Sequence, residues 1–256
     1  MKYWRQRRRL SQLGLALEAE ISQRHLSFLE SGRSHPSRDM IMQLTEQLGV
    51  PLRERNVILN AAGYAPCFPQ HPLDAPELSV AREAIERILQ GYLPHPALAV
   101  DRHWTLLSAN NAVSHLLTGI APHLLEGRVN VLRLSLHPAG LAPRIINLGE
   151  WRDHVFKRLD HEIEISADPA LAALKAELET FPCPPAAKQG HAKGKRYQDI
   201  AVPIRLHSPA GPLSFISTTT IFGTAVDVTL SEVTIEAFLP ADRETINAMA
   251  GLGETP

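Results

Sequence analysis

The sequence predicts two domains, an all-α head of five short helices and an α+β body built on an antiparallel sheet. Three observations predict this. Up to residue 62, apolar residues recur at spacings of three and four in short runs cut by Ser, Pro and Gly. Pro66, Pro69, Pro72 and Pro76 then forbid continuous helix and form a stiff connector. Beyond residue 200 the pattern turns to alternation in β-branched and aromatic stretches. A chain of 256 residues has room for both domains, with the head at 1–65, the connector at 66–76 and the body at 77–256.

In the head, the first helix opens almost at Met1, and Ser11 starts a second with Leu13, Ala16 and Leu17 at helical spacing. Ser22 starts a third, QRHLSFLE, closed by Gly32; Ser37 to Leu48 and Leu52 to Ala62 complete the set. At 100° per residue, Gln23, Arg24, Ser27 and Phe28 centre on one side of the third helix, and Leu26 and Leu29 on the other. That outward face suits the DNA major groove, where Arg pairs with guanine O6/N7 and Gln with adenine N6/N7. Phe28 either meets a thymine methyl or packs against a neighbouring helix. Gly14 inside the second helix costs about 0.5–1 kcal/mol relative to Ala.

In the body, Leu78 to Leu89 reads as helix, ALAVDRHWTLLSAN as two short strands around Asp101–Arg102, and NAVSHLLTG as helix again. Helices follow at Asn130–Leu136, Arg144–Ile165 and Pro169–Leu178, with GHAKGKR, residues 190–196, as a surface loop. Strands are expected in DIAVPIRLHS, GPLSFISTTTIFG and SEVTIEAFLP, before a last helix at Asp242–Ala250.

Charge follows the same division. Residues 1–60 hold ten Lys/Arg against six Asp/Glu, a net of +4, and the remainder holds 16 against 21, a net of −5. A basic head on an acidic body is the electrostatic footprint of a chain whose head meets a polyanion. Arg7 to Arg9 lie in that head either as part of the field or as an ordinary solvated face. The N-terminus has no signal-peptide core and no segment reaches about 18 apolar residues, so a cytoplasmic location without membrane attachment is expected. Cys67 and Cys183 read as unpaired thiols.

Nothing in the sequence supports catalysis or a cofactor. His-Glu-x-x-His, nucleophile-elbow, Walker and Rossmann patterns are missing, so no catalytic residue, metal ligand or cofactor is assigned. His154 and His161 share a helix face, but Glu150, Lys157, Arg158 and Glu162 around them read as a solvated, ion-paired surface. Apolar candidates for an internal pocket are Trp104, Leu106, Leu132, Leu136, Leu141, Trp151, Val155, Leu159, Ile204, Phe215, Ile216 and Phe222. Asn110, His137, Arg144 and Asn147 interrupt apolar stretches, either to orient a ligand's polar group or to cap helices; Asn147 with Glu150 has capping-box spacing.

The stretch RRRLSQLGLALEAEISQRHLSFLESGRSHPSRDMIMQL resembles the Cro/repressor-like helix-turn-helix of the XRE family, through the SQ opening, the S-x(4)-S-x-x-E-x-G-R core and the following P-S. The resemblance implies that Gln23, Arg24 and Ser27 read bases, that Gln12, Arg33 and Arg38 contact phosphates, and that Arg5 and Glu30 form a structural ion pair. The order of elements in the body resembles a PAS domain, in which a five-stranded antiparallel sheet and helices enclose a small-molecule cavity. The strings VPLRERNVILNAAGYAP, ALAVDRHWTLLSANNA, LRLSLHPAGLAPRIINLGEW and AVDVTLSEVTIEAFLPAD extend the likeness to MmyB-like transcription regulators over nearly the whole chain. The expected protein is a homodimeric regulator that binds a double-stranded DNA operator and senses an apolar small molecule, such as a fatty acid, in its body. Its rivals are a body that only dimerises and an enzyme fused to a DNA-binding head.

Overall fold

A computed structural model describes residues 1–184, 201–209 and 211–253; the 190–196 loop and the first residues of the DIAVPIRLHS strand fall outside the described residues. The head consists of α1 (Lys2–Arg7), α2 (Gln12–Glu18), α3 (Gln23–Glu30), α4 (Arg38–Gln47) and α5 (Leu52–Ala61). Each predicted serine cap is made: Ser11, Ser22 and Ser37 accept from the backbone N–H of Gly14, His25 and Met40 at 2.9, 3.1 and 3.2 Å. Trp4, Leu15, Ala16, Ala19, Leu26, Leu44, Leu48 and Val50 form the head core. The apolar face of α2 is therefore Leu15, Ala16 and Ala19, whereas Leu13 and Leu17 are 53% and 70% exposed. The stripe read from sequence was rotated by a residue or two, because Leu recurs on two faces of this short helix.

The body opens with α6 (Ser79–Gly91), followed by β1 (Ala97–Val100), β2 (Leu106–Ala109), α7 (Val131–Leu136), α8 (Leu148–Ser166), α9 (Pro169–Glu179), β3 (Ile204–Ser208), β4 (Gly211–Ile221), α10 (Val228–Ser231), β5 (Thr234–Pro240) and α11 (Arg243–Gly253). The five strands form one antiparallel sheet in the order β2-β1-β5-β4-β3. Strand alternation splits the side chains between two faces. Ala97, Ala99, Ile235 and Ala237 pack with Ile85 and Leu89 of α6, and Leu98, Val100, Ile204, Leu206 and Phe215 pack with Trp151, Val155, Leu159, Leu171, Leu174 and Leu178.

Two expected elements differ. Residues 111–116 form a 3-10 helix rather than an α-helix. The helix expected from Arg144 begins at Leu148, because Ile145 bridges to Leu206 and the N–H of Ile146 donates to the carbonyl of Arg205 at 2.8 Å.

Head and body touch through charged side chains. Arg7 Nε donates to the Glu164 carbonyl at 2.7 Å and Arg7 Nη2 donates to that of Ile163. Arg8 reaches the carbonyls of Glu164 and Ile165 at 3.0 and 3.1 Å and, on its own domain, those of Leu48 and Gly49 at 2.9 and 3.1 Å. The carbonyls of Ile163, Glu164 and Ile165 lie in the last turn of α8, its negative dipole end, where guanidinium groups are favoured. Arg7 and Arg8 are thus neither a solvated face nor a free part of the basic field, while Arg9 remains exposed. Arg53 on α5 adds a bidentate pair with Glu232, both bonds at 2.7 Å, and Ala167 packs on the head core.

Candidate DNA-reading face and ligand cavity

The cap at Ser22 fixes the start of α3 and leaves Gln23 and Arg24 exposed in its first turn, where base edges are reached. Ser27 and Phe28 are half-buried one turn on. The guanidinium carbons of Arg24 and Arg33 lie 5.4 and 5.9 Å from the Phe28 ring centroid, so the ring is held between side chains that carry two cations. Arg38 stands exposed at the first position of α4, with its guanidinium against Cys67 Sγ.

Behind this face, Arg5 Nε and Nη2 each donate to a Glu30 carboxylate oxygen at 2.7 Å, and the Gln12 side-chain amide adds a third bond at 2.9 Å. The two charged side chains are only 10% and 3% exposed. Burial pushes the Glu30 carboxyl upward, but the bonds from Arg5 and Gln12 outweigh it and hold the group below its ordinary value. The geometry of the pair is the one the resemblance implied, and it leaves Gln12 tied to the carboxylate behind the reading helix.

In the body, a cavity of about 300 Å³ lies between the sheet and α7–α8. Its wall is made by Leu98, Trp104, Leu106, Val113, Leu116 and Leu117 on one side, and by Leu125, Val129, Val131, Leu132, Leu134, Leu141, Trp151 and Val155 around the helices. Ile204, Leu206, Phe215 and Phe238 form the sheet floor. Eight candidates from the sequence, Trp104, Leu106, Leu132, Leu141, Trp151, Val155, Ile204 and Phe215, lie in this wall.

The other eight candidates lie elsewhere, among them Ile216, which pairs with Leu239 of β5 and is not in the wall. Asn110 is a staple, its Oδ1 accepting from Ala97 N–H at 3.1 Å and its Nδ2 donating to the carbonyls of Leu89 and His95 at 2.9 Å each. His137 ends α7, packing edge-on to Phe181 with ring centroids 5.0 Å apart. Arg144 donates to the carbonyls of Leu116 and Thr118, each at 2.8 Å, and of His207 at 3.2 Å, closing the loops around it. Leu136 and Leu159 are core residues outside the wall, and Phe222 packs on the opposite face of the sheet with α6. Asn147 makes no helix-capping bond; it bridges Glu150, the Pro203 carbonyl and the Arg205 N–H at 2.9, 2.8 and 3.0 Å, tying α8 to β3.

The polar end of the cavity was not foreseen. Arg158 Nη1 and Nη2 bond both oxygens of Glu236 at 3.0 and 2.6 Å, and Nε bonds Glu162 at 3.1 Å. Its guanidinium sits 4.4 Å from the Trp104 ring centroid, while Trp104 Nε1 donates to Glu162 at 2.8 Å. Trp104 holds φ at 64°, a strained conformation for an aromatic residue that turns its ring inward. His154 stacks on Trp151 at 5.3 Å; burial and then Arg158 push its pKa below the ordinary value, so it is neutral at pH 7. Burial also raises the Glu162 carboxyl, only partly opposed by Trp104 and Arg158. His154, Arg158 and Glu162 are therefore an inner polar cluster, not the solvated face expected from their i,i+4 spacing.

A helix-turn-helix head carrying a small-molecule-binding α+β body defines a ligand-responsive class of DNA-binding protein. The family comparison agrees for each part: residues 1–55 match a helix-turn-helix family, and residues 81–252 match the MmyB-like transcription regulator ligand binding domain. The chain belongs to the MmyB-like transcription regulators, a family of DNA-binding regulators rather than enzymes. No curated protein matches it. Among solved structures, an RNA-binding light-oxygen-voltage receptor aligns at 12% identity and a TM-score of 0.26 over 99% of this chain, which spans 62% of that structure's length. No helix among the described residues is long and apolar enough to cross a membrane.

Proposed function

We propose that this regulator binds a double-stranded DNA operator as a homodimer in the cytoplasm, and that an apolar small molecule in the body cavity controls that binding. Gln23, Arg24, Ser27 and Phe28 read bases, and Arg33 and Arg38 hold phosphates; Gln12, its side-chain amide given to Glu30, is not among the phosphate contacts. The effector's main part is a hydrocarbon chain of the kind a fatty acid carries. The observation that supports this is a cavity walled, among the described residues, by 18 aliphatic or aromatic side chains and five polar ones. Domain limits of 1–65 and 77–256 follow from the same reading, with 66–76 as a connector pinned by Asn56, which bonds Cys67 and Phe68.

The route from cavity to DNA is α8. Its first half supplies Trp151, His154, Val155 and Arg158 to the cavity, and the carbonyls at its end are held by Arg7 and Arg8 of α1. A ligand that shifts this helix shifts the head it is bonded to.

Mass spectrometry of the native full chain, followed by thermal melting of lipid-stripped protein with added chains of graded length, tests the effector. At 100 times its Kd a ligand bound only by the folded state adds about 2.7 kcal/mol of stability. If no chain length moves the transition and nothing co-purifies, the body serves dimerisation alone. For the reading helix, Arg24→Ala costs about 1–3 kcal/mol at the operator and little at random DNA. Equal loss on both would assign Arg24 to phosphate.

A further inference from the structure

A cavity with a buried apolar wall needs a way in. Among the described wall residues, Leu125 alone is exposed, at 38%, and the others are buried or half-buried. Leu125 belongs to a short excursion, residues 122–126, whose regular structure is one 3-10 turn over Pro122–Leu124. The turn is closed locally, by the N–H groups of Leu124 and Leu125 on the carbonyls of Ala121 and Pro122 at 3.0 and 2.9 Å. Among the described residues, no hydrogen bond ties 122–126 to another part of the body; Leu124 packs on the core, and the His123 ring stands edge-on to His137 at 6.0 Å. A segment held by so few contacts opens at small cost.

Both ends of the excursion are fixed. Before it, Arg144 holds the carbonyls of Leu116 and Thr118, Ile120 is buried, and the Ala121 N–H donates to the Ala139 carbonyl at 3.0 Å. After it, the Val129 carbonyl accepts from the Leu106 N–H at 2.8 Å, and Asn130 bridges to Thr105. Gly127 stands just before this second anchor with φ at 65° and open space where a Cβ would be, a conformation and a surrounding that suit a pivot.

We propose that residues 122–126 are a lid over the cavity, turning about Gly127 between the posts at Ala121 and Val129, and that the ligand enters beneath Leu125. Arg144 and His137, read from sequence as ligand-orienting groups, are its supports. This lid presupposes the apolar-effector reading above and adds the path of entry.

Stopped-flow fluorescence of the lipid-stripped full chain with N-phenyl-1-naphthylamine, an uncharged apolar dye that brightens on leaving water, tests it. Entry should run well below the diffusion limit, on the order of 10⁹ M⁻¹s⁻¹, because the lid must open first. Leu124 lies outside the cavity wall, so Leu124→Ala loosens the closed lid without touching the dye. Entry and exit rates should both rise about tenfold, with Kd unchanged, the order expected for truncating a half-buried leucine. His123→Ala, at an exposed position that folding tolerates, should raise both rates about threefold. Rates that neither variant moves, a faster exit alone with Kd weakened in proportion, or uptake by the unaltered protein at the diffusion limit would overturn the lid and leave the apolar cavity standing. A dye that does not bind the unaltered protein removes both readings.

Discussion

Glu30→Ala should destabilise the head by about 3–5 kcal/mol, because it strands the Arg5 guanidinium, 10% exposed, without its carboxylate. Gln12 loses its partner in the same step. A typical domain has only about 5–15 kcal/mol to lose, so the variant head stands close to unfolding at 37 °C. Denaturant unfolding followed by helical circular dichroism measures it. A loss under about 1 kcal/mol would mean that water replaces Glu30, as at an exposed pair. The pH dependence has a definite sign. Glu30 titrates below its ordinary value in the folded head, so its contribution is full above the unfolded carboxylate pKa, about 4.3, and is lost as pH falls through the depressed folded value.

The second large effect belongs to the body. Arg158→Met keeps much of the side-chain volume but leaves Glu236 with Thr219 alone and Glu162 with Trp104 alone. The expected cost at pH 8 is again about 3–5 kcal/mol. Burial already raises the Glu162 carboxyl, and the variant removes the opposing Arg158, so the part of the cost that Glu162 carries is relieved as pH falls from its raised folded value toward the unfolded range. Unfolding at pH 8 and pH 5.5 separates the cases. A cost equal at both pH values would place the loss in packing against Trp104 rather than in charge.

The head was legible because its signals are local. Ser11, Ser22 and Ser37 announce helix starts by chemistry that acts over three residues, and the structure places each cap where the sequence expected it. The body was legible as a series of elements, since β-branched alternation and helical spacing are also short-range. The polar end of the cavity was not. Sequence alternation sends a strand's polar residues to solvent, but this sheet is covered on both faces, so Glu236 is turned inward with nothing in SEVTIEAFLP to mark it. Arg158 and Glu162 make an ordinary i,i+4 pair in sequence; only the arrival of β5 and Trp104 turns it into a buried cluster. Asn110 and Arg144 erred in the other direction, since polar residues amid apolar ones also serve to satisfy backbone carbonyls at loop closures.

Trp104 and Trp151 are two of the chain's three tryptophans, and both stand in the cavity wall, while Trp4 lies in the head core. The site therefore carries its own optical gauge. Indole emission responds to the polarity and field around the ring, and Trp104 has a guanidinium over its face and a carboxylate at its Nε1. An occupant that displaces water from these rings or reorients Arg158 changes the colour of the unlabelled protein's fluorescence, with Trp4, 4% exposed and remote from the cavity wall, as the steady background.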